Sequence, residues 1–556
     1  MDRGLGNPRA LTRRSLLARG AGVGLSSLAG RSLLGAGPAF GARRTAIAPA
    51  RRPVALPSPA QVRADFTRMV EFGPRLTASD PHSLYIDWLE QEFIDAGLQM
   101  LPRDNYTTDR WLAQQVGLDI LSGAGAGPVK VGTYYPRSQQ TPAGGVTGAL
   151  VYGGTAPVPS VSFTGIADAQ ASLGAYPAEL SSWASGLPSL LGGGPQGSIL
   201  LVDLPVPAPI TAGVLMAGSS YQYWPGHTLA DWATLDYKRL WIEPGLSIPL
   251  APFQEIGASA VVFILDASYE ALKGGYLPFT HGFEPLPALY VDRDTGRALR
   301  AQAAGRPNTR LTLTATRGKA PTQAITAVLP GESKEAIIFN THTDGQGFVE
   351  ENGGVAFVQL ARHFASLPRR KRLKRTLVFA AWPGHMVADL PQTQGWIDAH
   401  PDIMGRAAAA LTVEHLGCTE WADTLGSGYH PTGEPELFAV WTSQGKLFDL
   451  TRDTVVKHRL SRTALMRPGV QFGVGGAFQS SGVPQIGAIA GPEYLLTISP
   501  NGDLDKLDEH LAARQIAWLA DLAMRLDPVP ASTLRQGDPT LGLPPSAPSA
   551  PSAPAA

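Results

Sequence analysis

The stretch Ile337–Val358, IIFNTHTDGQGFVEENGGVAFV, decides how the rest of the chain is read. It opens on Ile337-Ile338-Phe339, a wholly apolar run of the kind found in parallel strands buried on both faces. It closes on a helical pattern, Val355 to Leu367, with apolar residues three and four apart. Between the two lie His342, Asp344, Glu350, Glu351 and Asn352, followed by Gly353-Gly354. In an open α/β sheet, ligands bind in the crevice beyond the carboxyl ends of the strands. A histidine and several carboxylates placed there form a candidate metal or acid–base site. The same residues also suit a local task, because Asp344 and Asn352 can shape a turn and cap the helix.

Working outward, more buried strands follow the same plan. Leu377–Trp382 runs into Pro383-Gly384-His385, and Ala408–Val413 runs into Glu414-His415-Leu416-Gly417. Ala324–Leu329 and Gln485–Ile489 add two further strands, and a terminal helix is expected over Leu504–Leu526. Three strand ends thus deliver His342 with Asp344, then His385, then Glu414 with His415. A lone histidine after a strand is ordinarily a hydrogen-bonded core residue; the functional argument rests on the convergence. Neutral imidazoles and carboxylates are what a hydrolytic zinc ion needs, with one position left for water. There is no G-x-S-x-G elbow, no H-E-x-x-H and no P-loop sequence.

Upstream, Val62, Phe66, Met69 and Val70 form one apolar helical stripe and Leu84, Ile86, Leu89, Phe93 and Ile94 a second, separated by Gly73-Pro74. Leu98–Leu121 alternates loosely and should supply strands. From 123 to 316 glycine and proline are dense and short β-like runs recur, at Gly148–Tyr152, Ser198–Asp203, Ala260–Ile264 and Leu289–Val291, with a helical turn near Phe253 to Gly257. This reads as a small β-rich domain inserted into a larger one. The aromatic stretch Tyr221–Trp241, which holds His227, is either a packing cluster or an access loop.

With 556 residues the chain exceeds one core. Lys+Arg and Asp+Glu balance at 46 each, so no global charge favours nucleic acid or an acidic membrane surface. The basic run Arg369–Arg375 reads as a solvated connector between helix and strand. Thr12-Arg13-Arg14-Ser15-Leu16-Leu17 and the Gly/Ala-rich segment after it resemble a twin-arginine export signal over 1–42, which implies a periplasmic, cell-surface or extracellular protein. Arg19 and Arg31 interrupt that segment, so it is not a spanning helix, and no other run is long and apolar enough to be one. Cys418 stands alone, which excludes an intrachain disulfide. Residues 43–58 read as a linker, and the Pro/Ala/Ser-rich tail, 528–556, as disordered.

Residues 59–122 and 317–527, split by the insertion, resemble the di-zinc aminopeptidase and glutamate carboxypeptidase family. The insertion's succession of GALVYGG, QGSILLVDL, EIGASAVVFILD and PLPALYVDRDTG resembles a protease-associated domain, a module that acts as a lid or access element. The resemblance implies an α/β fold, a three-layer α/β/α sandwich of the zinc-exopeptidase type. It also implies a divalent metal, zinc first, and a peptide or small-molecule substrate. His342-Thr343-Asp344 stands as the family's H-x-D, with His342 a ligand oriented by Asp344. Glu351-Asn352-Gly353 stands where the family has its bridging acid. The family's Glu-Glu pair falls on His385-Met386, its later Asp ligand on Glu414, and its last His ligand near Gly475. The resulting expectation is a variant centre with ligands among His342, Glu351, His385, Glu414 and His415. His385 would serve as the base in place of the missing Glu. The alternative is an inactive relative that binds peptide or another ligand in the retained cleft.

Overall fold

The computed structural model describes residues 54–543, apart from 124, 158–165, 192–194, 205–210, 214–217, 241–247, 280 and 469–472. The export signal, most of the expected linker and the last thirteen residues of the tail lie outside the described residues. The described residues form one compact unit.

Why the centre of the chain becomes a parallel sheet follows from its apolar runs. β8 (Ser333–His342) pairs in parallel with both β9 (Arg375–Trp382) and β10 (Ala407–Val413), and β10 pairs in parallel with β13 (Gln485–Ala490). Successive side chains point to opposite faces, so each strand needs cover on both. Ile337, Phe339, Phe379 and Leu411 pack with α1 (Pro59–Val70), α2 (Asp80–Ala96), α3 (Gly353–Ser366) and α4 (Glu509–Leu526). On the other face Ile338, Val378, Ala380 and Ala410 pack with Trp396, Ile397, Ile403 and Phe478 of the short helices 392–399, 401–404 and 476–480. The result is a three-layer α/β/α sandwich.

β7 (Asn308–Leu329) is 22 residues long and joins two parts of one sheet. Its second half pairs antiparallel with β9, while its first half pairs with β1 (Asp104–Ile120) and with β2 (Val146–Thr155). From β2 the sheet runs on through β3 (Ile199–Leu204), β5 (Ala260–Leu265) and β6 (Ala288–Val291), all parallel. Parallel neighbours require crossover connections. The stretch expected to be β-rich therefore alternates strands with helices, among them 166–190 and 293–303.

At the far edge, β11 (Phe438–Thr442) pairs with β13, β12 (Thr463–Met466) with β11, and β4 (Ser219–Tyr223) covers β12. The aromatic stretch is thus a packing cluster over its described part: Trp232 and Tyr237 are buried against Leu437, Trp441 and Met466, and its strand shields an edge.

Three expectations need correction. In α2 the inward face is His82, Tyr85, Ile86, Leu89, Phe93 and Ala96, while Leu84 and Ile94 are 48% and 47% exposed. The two exposed residues belong to an apolar band wider than the buried stripe. The terminal helix starts at Glu509, where the Asp508 side chain accepts the Leu511 N–H; Leu504–Lys506 is a separate 3-10 turn. The tail is ordered to 543, because Leu534 is buried and the Asp538 carboxylate accepts the Gln444 N–H and the Gln479 amide. No helix among the described residues is long and apolar enough to cross a membrane.

Candidate metal centre

Strand register brings the site residues together. His342 ends β8 opposite Trp382, the last residue of β9, and Asn340 stands opposite Thr412, so Glu414 leaves β10 beside His342. His385 follows β9 by three residues. His415 adopts a left-handed backbone, φ +56°, which L side chains rarely take and which clusters at functional sites. His342 Nε2 is 3.5 Å from Glu414 Oε2, and His415 Nε2 is 4.0 Å from the same oxygen. Glu350 stands across from them, Oε1 3.5 Å from His385 Nε2 and Oε2 3.5 Å from His415 Nε2. The His342 and His385 rings lie 4.3 Å apart.

Two triads have all their ligand atoms within 4.8 Å of one another: His342, Glu414, His415 and His342, Glu350, His385. His342 Nε2, His415 Nε2, Glu414 Oε2 and both Glu350 oxygens are buried and find no hydrogen-bond partner among the described residues. Buried polar atoms without partners cost free energy, and those of His342, Glu414 and His415, all within 4.8 Å of one another, fit the donor set of a divalent ion. The fit is to one ion through His342. That ring's Nδ1 is taken by the Asp344 carbonyl at 2.9 Å, and a single Nε2 lone pair serves one metal.

The first triad is the better prepared. Besides the His342 bond, His415 Nδ1 donates to the Ala490 carbonyl and Glu414 Oε1 accepts the Val474 N–H at 2.9 Å. Each ligand is oriented by a second hydrogen bond, which fixes the imidazole tautomers with Nε2 bare. Neither Glu350 oxygen is fixed in this way.

The electrostatics follow from burial and mutual proximity. Burial works to lower His342, but the nearby Glu414 carboxylate, 3.5 Å from its Nε2, with Glu350 and Asp344, raises it to about 9. Burial, with Glu414 and Asp344 adding to it, lifts Glu350 to about 8 against the opposing His342. Burial lowers His415 to about 4 and pushes His385 well below the usual histidine range. Glu414, despite burial, lies below the usual carboxylate range because of its histidine neighbours.

No family model and no curated protein matches this chain. Solved structures do. A peptidase M28 precursor from Shewanella amazonensis superposes with a TM-score of 0.55 at 16% identity, over 84% of this chain and 92% of that one. The zinc aminopeptidase BSAP from Bacillus subtilis gives 0.52 at 13% identity, over 86% and 98%. The chain has the zinc-exopeptidase fold. At these identities the likeness concerns the fold, and the site must be judged on its own residues.

Judged so, the fold gathers His342, His385, Glu414 and His415 as expected, and departs from expectation at Glu351 and Asp344. Glu351 belongs to neither triad: the Arg75 guanidinium hydrogen-bonds its carboxylate, both side chains being fully buried. Glu350 takes the inward position instead. Asp344 is not the main orienter of His342; its side chain lies 3.8 Å away, and its backbone carbonyl does that work. Its carboxylate accepts the N–H groups of Gly384, His385 and Met386 and the Thr77 hydroxyl, so it positions the loop that carries His385. Asn352 gives α3 no side-chain cap; its amide instead bonds both the N–H and the carbonyl of Leu416. Near Gly475, where the family resemblance would place a last histidine, a Cβ added at Gly473 would lie 2.5 Å from the Glu414 carboxylate, so backbone fills that side.

Sequence reasoning missed the supports supplied by Arg75, Thr77 and the first turns of α2. Arg75 also donates to the Gly347 carbonyl, Tyr85 Oη donates to the Glu351 carbonyl, and His82 meets Thr343. A lone Arg and Thr in a loop after Gly-Pro carry no signal of such a role.

Proposed function

We propose that this chain is a metal-dependent hydrolase acting on peptides, with one divalent ion, zinc first, held by His342, Glu414 and His415. The observation that carries this reading is the set of buried, partnerless ligand atoms gathered from the ends of β8 and β10, each ligand of the first triad oriented from behind. The zinc-exopeptidase fold supports it. When bound, the ion supplies Lewis-acid charge to a carbonyl oxygen and acidity to water.

The remaining groups suit proton handling. Glu350 and His385 face each other across 3.5 Å and form the acid–base pair. The pair takes a proton as water oxygen bonds to the carbonyl carbon, and returns it to the amine nitrogen as the C–N bond breaks. His385 is the member of the cluster open to solvent, its side chain 14% exposed, so substrate enters past it. Phe279, from the stretch that resembles a protease-associated domain, stands 5.3 Å from the His385 ring, which supports an access role for that stretch. Export by the twin-arginine route accords with Thr12–Leu17, and a reporter fused to residues 1–42 tests it.

A second reading, a peptide-binding relative without turnover, draws on Met386, whose sulfur accepts from Gln346 where the family has a carboxylate. Metal analysis of protein purified without chelator, alongside hydrolysis of a peptide panel, separates the two. The hydrolase requires one equivalent of metal, lost in His342→Ala and His415→Ala, with activity lost in parallel. A metal-free chain that hydrolyses nothing and gains no thermal stability from zinc leaves the binder.

A further inference from the structure

A second site lies away from the metal centre, where residues 235–239 of the inserted stretch meet the hairpin 419–435. A cavity of about 150 Å³ opens there, lined by Leu235, Asp236, Ala422, Asp423, Thr424 and Glu493, with Lys238, Arg239, Glu420 and Thr432 completing the wall. A water needs only about 10–15 Å³ of such space, so the cavity accommodates a small organic molecule.

The wall's charges are unevenly committed. Each Arg239 nitrogen already donates, Nε to the Gly491 carbonyl, Nη1 to that of Lys238 and Nη2 to Glu436 and Glu420. Lys238 Nζ gives one of its three N–H groups to the Asp266 carbonyl at 2.8 Å. Glu420 is saturated by Arg462, Arg239 and Thr432. Asp423 is different. Its Oδ2 accepts the Ser268 N–H and Arg293, but Oδ1 is buried and has no partner, on a side chain 2% exposed. Glu493, 5% exposed, accepts the Leu240 N–H at Oε2; burial, with the Asp423 charge adding to it, lifts it to about 8 against the pull of Arg239 and Lys238. The acceptor left over in this wall is therefore Asp423 Oδ1, and what it lacks is a donor.

A bare metal ion does not meet the requirement. Among the described residues, triads of metal-competent side chains with atoms within 4.8 Å occur at His342 and not here. An ion needs oxygens at about 2.0–2.6 Å around one point. The apolar side chains of Leu235 and Ala422 leave room beside the carboxylates for an aliphatic body.

We propose that this cavity binds a primary ammonium compound with a short aliphatic body, the ammonium donating to Asp423 Oδ1 and Glu493. A free amino acid and an alkylamine share that chemistry. The site is independent of the hydrolase reading and stands or falls separately.

Isothermal titration of the full chain with L-alanine, propylamine and N-acetyl-L-alanine tests it. Binding is expected for propylamine and not for the N-acetyl compound, which lacks the ammonium; L-alanine binding as well assigns the site to a free amino acid, and its failure to bind assigns it to an alkylamine. Asp423→Asn should weaken binding by about tenfold or more, the worth of a charge-assisted hydrogen bond. Ala422→Leu, which fills the cavity without touching an ion pair, should abolish it and guards against misfolding of the first variant. Binding should persist in His342→Ala. The proposal is overturned if neither amine binds at millimolar concentration, if binding survives both Asp423→Asn and Ala422→Leu, or if it disappears with His342→Ala.

Discussion

His82 illustrates what a single side chain does beneath the centre. It accepts the Ala78 N–H at Nδ1 and meets Thr343 Oγ1 through Nε2, so the neutral tautomer satisfies both neighbours and the charged ring would lose one bond. Burial first, with the charges of Arg75 and His342, lowers it to about 4 against the pull of Asp344. Between pH 6.5 and 4 the unfolded chain therefore takes up a proton that the folded chain does not. Stability from this group is complete above 6.5 and falls as pH drops toward 4, by up to about 3 kcal/mol. Urea denaturation across that window should show a shallower acid slope for His82→Asn than for the parent; equal slopes refute it. The same scale shows where the sequence stops informing. His342, His385, Glu414 and His415 were legible because each follows an apolar run. The choice between Glu350 and Glu351 was not, since adjacent carboxylates differ only in which way the turn before α3 aims them. Arg75, more than 270 positions upstream, makes that choice.

At the scale of elements, strands were the most legible, because buried parallel strands write themselves as uninterrupted apolar runs. Helix faces were less so, as Leu84 and Ile94 show: an apolar residue flanking the buried stripe carries no mark of exposure. The β8–α3 junction depends on closeness that side-chain patterns do not express. A Cβ added at Gly353 would lie 2.1 Å from the Val413 carbonyl and 2.7 Å from Thr341 Oγ1, which itself bonds that carbonyl. Helix α3 thus starts with its backbone against the end of β10, one residue before Glu414. Gly353→Ala forces α3 off the strand, and backbone cannot yield as a flexible side chain can. We expect a loss of about 3 kcal/mol in chemical denaturation, with weaker metal retention because Glu414 moves. An unchanged midpoint together with full metal content would show that the junction tolerates a methyl group.

For the molecule as a whole, the question is what ties the inserted stretch to the sandwich. β7 does so covalently, and β4 does so by covering the β12 edge. Arg239 adds a buried charge to this seam: it is 2% exposed, and Glu420, Glu436 and Gly491 receive its hydrogen bonds from the sandwich side. Sequence could not reveal this, because 181 and 197 positions separate Arg239 from its carboxylate partners. A buried pair is poor evidence of net stabilisation, since desolvation opposes attraction, yet removing one partner is costly. Arg239→Met strands Glu436, itself 2% exposed, with one backbone N–H from Leu437, while Glu420 keeps Arg462. The single variant should lose about 3–5 kcal/mol. Adding Glu436→Leu removes the stranded charge and should return most of that loss, which a packing defect at Arg239 would not allow. Thermal melts of the parent, the single and the double variant decide it: a double variant no more stable than the single would mean that Arg239 holds the seam by its shape and not by its charge.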